Sequence, residues 1–245
     1  VHEKEVIEQR IVDTNRIENF VKAFAKSYYS WSNTQESIDK RTAAINNYLT
    51  KSLQDLNVDT VRQDIPTSST VTDVKIWDIE QAGTDDFTVV YSVDQTVTEG
   101  ETSIGYTSAY MVVVHVDGDG NMVITQNPTI SSTPTKSSYE PKAKESDGTV
   151  DAATTEEVTE FLETFFKLYP TATKKELAYY VSGNVLEPVN CDYVFSELVN
   201  PIFIKSGEQV QVSVSVKYLD QRTKAIQISQ FDLTLEKDSN WKIVK

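Results

Sequence analysis

The chain has little of what most enzymatic sites are built from. It holds one cysteine, Cys191, and two histidines, His2 and His115, in 245 residues. A lone thiol excludes an internal disulfide and any structural zinc site built on several thiolates. Two histidines leave little for histidine-based metal or acid–base chemistry. Glycine is also scarce, at 8 residues, and there is no Gly-rich phosphate loop, no GxSxG and no HExxH. No run approaches the roughly 20 apolar residues of a membrane-spanning helix. Positive charge is in the minority: 23 Lys and Arg face 37 Asp and Glu, for a formal net charge of −14. Most of such a surface repels duplex DNA and anionic lipid, leaving only local basic patches to bind them.

What is present is enough for a core. Hydrophobic residues make up 39% and aromatics 10%, with 12 Tyr, 9 Phe and 3 Trp, so global disorder is excluded. The length suits one large domain or two small ones. The sequence starts at Val1 in a polar, helix-prone run (VHEKEVIEQR) that reads as a cut through a longer protein. A membrane or targeting segment upstream is therefore expected.

Hydrophobic spacing changes period along the chain. Ile17, Phe20, Val21, Phe24, Ala25 and Tyr28 recur at helical spacing, with Asp13 or Thr14 as the cap. A second helical stretch runs from Ser32–Thr34 to Leu56, as one helix or two. After Pro66 the pattern becomes that of strands. Val71 to Ile79 is β-branched, and Phe87, Val89, Tyr91 and Val93 alternate with more polar partners. Ile104 to Val116 is a long strand, Asp117-Gly118-Asp119-Gly120 a hairpin turn, and Met122 to Thr125 the returning strand.

Residues 131–153 read as a linker, being rich in Ser, Thr, Lys, Glu and Pro. Beyond them the same order begins again. Val158, Phe161, Leu162, Phe165, Phe166 and Tyr169 form a helix face stopped by Pro170, and Thr173 to Val181 reads as a second short helix. Tyr193 to Ile204 is apolar but ambiguous. Val210, Val212, Val214 and Val216 mark a half-buried strand. Ile226 and Ile228 change phase to Phe231, Leu233 and Leu235, which suggests a bulge near Ser229–Gln230. A turn at Asp238-Ser239-Asn240 leads to Trp241 and the end of the chain. Two copies of one α+β architecture follow, each with helices packed on a curved antiparallel sheet: residues 1–130 and residues 154–245.

Candidate chemistry is thin. Asp117, Asp119 and Asn121 copy the first ligand positions of an EF-hand loop, but Met122 stands at its sixth position and Pro128 at its twelfth. A hairpin turn explains them better than calcium. His115 sits in an apolar strand, where it is a structural histidine or a general base in a cone pocket with Tyr28, Tyr29, Tyr106 or Tyr110 as phenol partners. Cys191 has no catalytic signature around it. The stripes Phe20–Phe24–Tyr28 and Phe161–Phe165–Tyr169 have the spacing of core residues, and Lys136, Lys142 and Lys144 alternate with Glu140 and Glu145 as in a solvated segment. No catalytic, cofactor-binding or metal-binding residue is assigned, and no cofactor is expected.

Paired units of helices (NFVKAFAKSYYSW and EFLETFFKLYP), each followed by strands closing on a hairpin (MVVVHVDGDGNMVIT and FDLTLEKDSNWKIVK), resemble the NTF2-like cone fold. Two such acidic units in tandem resemble the TcpC family of conjugative transfer proteins from Gram-positive elements, similar in fold to the VirB-eight class of type IV secretion components. The resemblance covers the chain from about Asn15 to Lys245. It implies a non-enzymatic, oligomeric assembly component of a DNA-transfer channel, with a trimer favoured. It also implies contacts with other conjugation-channel proteins and one membrane span upstream, with this chain on the cell-wall side. Direct nucleic-acid binding is not expected from the charge. The rival readings are an NTF2-like ligand- or cell-wall-binding module and a cone-pocket enzyme.

Overall fold

A computed structural model describes residues 14–245. They divide into two compact units, with the boundary between Ser138 and Tyr139. In the first, α1 (Asn15–Tyr28), α2 (Gln35–Asn46) and α3 (Lys51–Leu56) precede four antiparallel strands. These are β1 (Thr67–Gln81), β2 (Asp86–Glu99), β3 (Thr102–Val116) and β4 (Met122–Ile130), adjacent in chain order. The second unit repeats the plan. Helices α4 (Ala152–Leu168) and α5 (Lys174–Leu177) lead into β5 (Tyr193–Ser206), β6 (Gln209–Asp220), β7 (Ile226–Lys237) and β8 (Trp241–Ile243), again adjacent in chain order. Each unit is therefore α+β, with helices laid on a four-stranded antiparallel sheet.

The helix faces are those the spacing predicts. Ile17, Val21, Phe24 and Ala25 are the buried stripe of α1, and Val158, Leu162, Phe165 and Phe166 that of α4. Capping differs in detail. Thr14 makes no side-chain cap bond, because its backbone is already helical, and Asp13 lies outside the described residues. Thr50 before α3 makes none either, while the other three helices are capped by the usual chemistry. The Thr34 hydroxyl accepts from the Ser37 amide, the Asp151 carboxylate accepts from the Thr154 amide, and Thr173 with Glu176 forms a capping box. Helix α5 is shorter than the predicted 173–181. The Tyr180 amide donates to the Leu177 carbonyl at 2.8 Å, an i→i−3 bond that tightens the end. The next residue, Val181, then bridges to Ile243.

Alternation reads the inner strands well. Phe87, Val89, Tyr91 and Val93 of β2 are buried, as are Val210, Val212, Val214, Val216 and Tyr218 of β6. The ambiguous stretch from Tyr193 is strand β5, and β4 runs on to Ile130, past the predicted end at Thr125. The expected bulge in β7 is absent: β6 and β7 stay in register from Gln209↔Glu236 to Leu219↔Ile226. The phase change has a different cause. Leu233 and Leu235 face the core, while Ile226 and Ile228 lie on the outer face and are more than half exposed. The register shifts fall on edge strands instead. In β5 they lie at Phe195/Glu197 and Val199/Ile202, and in β1 at Val71/Asp73 and Ile76/Asp78. There an extra residue adds twist and curvature without breaking two ladders.

The segment 139–151 carries no helix or strand, yet it is held to the second sheet. The Phe203 amide donates to Ser146 Oγ at 3.1 Å and the Lys205 amide to Thr149 Oγ1 at 2.9 Å. Lys144 Nζ pairs with the Asp232 carboxylate and reaches Ser213 Oγ at 3.2 Å. Polar side chains here cover backbone donors of edge strand β5.

Candidate functional site

An NTF2-like enzyme would work inside its cone, so the two interiors come first. In the first unit the concave face is filled by phenols. Tyr29 stacks on Tyr110 with ring centroids 4.7 Å apart, and its hydroxyl lies 3.2 Å from that of fully buried Tyr91. The backbone around Tyr29 is pinned as well. Ser69 Oγ donates to its carbonyl at 2.8 Å, and Gln95 Nε2 reaches the same carbonyl at 3.1 Å and Ser69 Oγ at 2.8 Å. Tyr28 donates to Asn57 Oδ1 at 2.7 Å, and Asn57 Nδ2 in turn donates to Asn127 Oδ1 at 2.7 Å. Arg41 lies over the Tyr28 ring and donates from Nε to the Tyr28 carbonyl at 2.8 Å.

Burial governs the ionisation of this cluster. The pKa values of Tyr28, Tyr29 and Tyr91 are all raised, chiefly by desolvation of the phenolate, and that of Arg41 is lowered by the same cause. These phenols stay protonated through the physiological range. They serve as hydrogen-bonding core residues, and none of them is poised as a base.

The second cone is filled in the same way. Phe166 meets Phe231 at 4.8 Å between ring centroids, and Tyr218 donates to the Phe166 carbonyl at 3.1 Å. Tyr169 donates to the Glu187 carbonyl at 3.2 Å, closing the cone beside Phe165. Among the described residues no buried side-chain nitrogen or oxygen lacks a hydrogen-bond partner.

The individual candidates lie apart from the interiors. His115 sits on the outer face of its sheet, paired across the strands with Asp86, and its Nδ1 is 2.8 Å from that carboxylate. Both side chains are roughly half exposed, at 40% and 46%. Val112 and Val114 face inward on the same strand, so alternation turns His115 outward, away from Tyr28, Tyr29 and Tyr110. Tyr106 is exposed near the tip of the β2–β3 hairpin. The Asp117 carboxylate is consumed by its own turn, accepting from the Asp119 amide at 3.0 Å and the Asn121 amide at 2.9 Å. Those bonds lower its pKa, and Arg16 closes the turn by donating to the Gly120 carbonyl at 2.8 Å. Cys191 is half-buried with its Sγ 3.4 Å from the Val189 carbonyl. No group of three or more His, Cys, Asp or Glu converges on a metal position among the described residues. Of the three lysines, Lys144 is engaged by Asp232, while Lys136 and Lys142 are exposed.

One concave surface was not legible in the sequence. It is an open groove of about 600 Å³ in the second unit, lined by Phe161, Leu168, Glu176, Tyr179, Tyr180 and Trp241. Along α4 it continues past Glu157, Glu160 and Thr164 to Lys237. Tyr179 and Trp241 are 62 positions apart and come to line one groove where Val181 bridges Ile243.

No helix among the described residues is long and apolar enough to cross a membrane. Comparison with solved structures finds an NTF2-like protein involved in plasmid conjugation. It has 17% identity and a TM-score of 0.77, over 92% of each chain. A second match, an NTF2-like potential transfer protein TraM of a Gram-positive conjugative plasmid, has 16% identity and a TM-score of 0.36. It covers 51% of this chain and 100% of its own. No curated protein matches the chain. The conjugative transposon protein TcpC family matches residues 20–244, nearly the whole length. The chain belongs to that family, and is a conjugation-related transfer protein with an NTF2-like fold.

Proposed function

We propose that the chain is a non-catalytic assembly component of the DNA-transfer channel of a Gram-positive conjugative element. The observation that carries this reading is the filling of both cones by their own aromatic side chains, with the buried side-chain nitrogens and oxygens of the described residues all hydrogen-bonded. The surfaces are then left as the working parts. The family resemblance supplies the rest: a membrane span upstream, this chain on the cell-wall side, contacts with other channel proteins, and several copies per assembly with a trimer favoured. A net charge of −14 speaks against direct binding of the transferred DNA. It also weakens self-association of the untethered chain, because like charges repel at low ionic strength.

The test is sedimentation of the chain alone and of the chain tethered behind a single membrane span in detergent. The reading expects a closed oligomer for the tethered form, together with removal of this region by protease added to wall-stripped cells. A tethered protein that stays monomeric, or full protection from protease, contradicts it.

A further inference from the structure

The two units provide an internal control for what the fold itself requires. Each is closed by the same parallel bridge, Leu49↔Ile124 in the first and Val181↔Ile243 in the second. Each also sets the residue before that bridge against the same two helix aromatics. Tyr48 lies 5.1 Å from Phe20 and 5.8 Å from Phe24, and Tyr180 lies 5.9 Å from both Phe161 and Phe165. These contacts align the units residue by residue. Phe161, Phe165 and Tyr180 keep aromatic partners at Phe20, Phe24 and Tyr48, as structural positions should.

The rest of the groove does not match. Tyr179 corresponds to Asn47, Leu168 to Ser27, Trp241 to Met122, Glu157 to Arg16 and Glu160 to Asn19. At four of these places the first unit holds the same frame with small, polar or basic residues, and at the fifth with Met122. In the second unit Leu168 and Trp241 also pack partly against the core, but Tyr179, Glu157 and Glu160 are exposed and lie outside it, so core packing does not explain those three. Tyr179 is 70% exposed and lies outside the core cluster of its unit.

The groove also shows which chemistry it accepts. Lys237 Nζ lies 2.5 Å from the Glu157 carboxylate and 5.7 Å above the Trp241 ring, and Trp241 Nε1 donates to the same carboxylate at 3.2 Å. A cation seated between a carboxylate and an aromatic face is thus already stable there. The next carboxylate along the helix, Glu160, is paired with no cation among the described residues, and Glu176 adds negative charge at the far side. From Glu157 to Leu168 the helix runs roughly 16 Å, which about five extended residues would span. We propose that this groove binds an extended segment of a partner protein that carries Arg or Lys beside an aliphatic side chain. The cation would pair with Glu160 against the Tyr180 and Tyr179 rings, and the aliphatic group would rest on Leu168 and Phe161. The inference rests on the assembly reading only for the source of the segment.

The test uses the full chain and two capped tetrapeptides, Ac-Arg-Leu-Arg-Leu-NH2 and Ac-Glu-Leu-Glu-Leu-NH2, with chitotetraose as a glycan probe. The readout is the indole N–H resonance of Trp241, assigned by Trp241→Phe. The basic peptide should shift it saturably, more weakly as salt is added. Tyr179→Ala should weaken binding about tenfold and Glu160→Gln about fivefold. Both residues lie on the surface, and unchanged dispersion of the other resonances verifies the fold. Four results would overturn the proposal: no saturable shift up to millimolar peptide, equal binding of the acidic peptide, undiminished binding by the combined Tyr179→Ala/Glu160→Gln variant, or saturation by chitotetraose but not by the peptide. Failure here leaves the assembly reading intact, since that is tested by sedimentation and topology.

Discussion

The Ile243 amide donates to the Tyr180 carbonyl at 2.8 Å, and the Ser182 amide returns a bond to the Ile243 carbonyl at 2.9 Å. The first unit repeats this stitch. The Ile124 amide donates to the Tyr48 carbonyl at 2.7 Å, and the Thr50 amide donates to the Ile124 carbonyl at 3.3 Å. In both places a segment that follows a helix, between α2 and α3 in the first unit and after α5 in the second, is bonded in parallel to the fourth strand, which ties the helix layer to the sheet. Both isoleucines are fully buried.

Ile243→Ala and Ile124→Ala each leave a cavity at this stitch, and each should cost about 2–5 kcal/mol. If the units fold separately, each variant lowers the melting transition of its own unit and leaves the other in place. Calorimetry that shows one shared transition, moved equally by either variant, would contradict separate folding.

The buried phenols set an alkaline limit on stability. Tyr29 and Tyr91 have folded-state pKa values raised above the ordinary 10.0, with burial the main cause. Below pH 10 both states keep the proton, so the contribution is fully present. As pH rises above 10 the unfolded chain releases protons that the folded chain retains, and stability is lost. Phenolate absorbance should rise in two stages, exposed tyrosines first and the buried set only with unfolding. Smooth titration of all 12 Tyr while the fold persists would contradict this.

Much of the fold was legible because one face of each long helix and inner strand is buried. The stripe Phe161–Phe165–Tyr169 and the alternation from Val210 to Val216 report that burial directly. Segment 131–153 was harder, because Ser146 and Thr149 hydrogen-bond to a strand edge while giving the same composition as a solvated linker. The outward Ile226 and Ile228 mimicked a bulge, since a surface apolar pair and an inserted residue change the pattern alike. His115 could not be oriented from a run that is apolar on both sides. The groove was invisible for another reason: a long-range bridge brings Tyr179 to Trp241, and no local period records it.

Trypsin provides a check on the boundary. Lys136 and Lys142 are exposed, whereas Lys144 is held by Asp232 and Ser213. Cleavage should begin after Lys136 or Lys142 and leave two resistant fragments, with Lys144 cut more slowly. First cuts within the strands, or fragments that degrade at once, would show that the units depend on each other.

Duplex DNA should not bind measurably at physiological salt, because little counterion release is available to a chain of charge −14. A mobility shift at micromolar protein that weakens steeply with salt would reveal a basic surface and reverse this expectation.

The most direct measurement compares cone and surface in donor cells that lack the native protein. Tyr29→Phe/Tyr91→Phe removes the paired hydroxyls of the first cone while keeping its packing, at a cost of about 1–2 kcal/mol. Tyr179→Ala alters only the surface groove. With equal amounts of folded protein at the membrane, the account predicts transfer near the wild-type frequency for the Tyr29→Phe/Tyr91→Phe variant and at least tenfold lower for Tyr179→Ala. Loss of transfer in the first variant, with the second unaffected, would mean that the cone performs chemistry and would contradict a role in assembly alone.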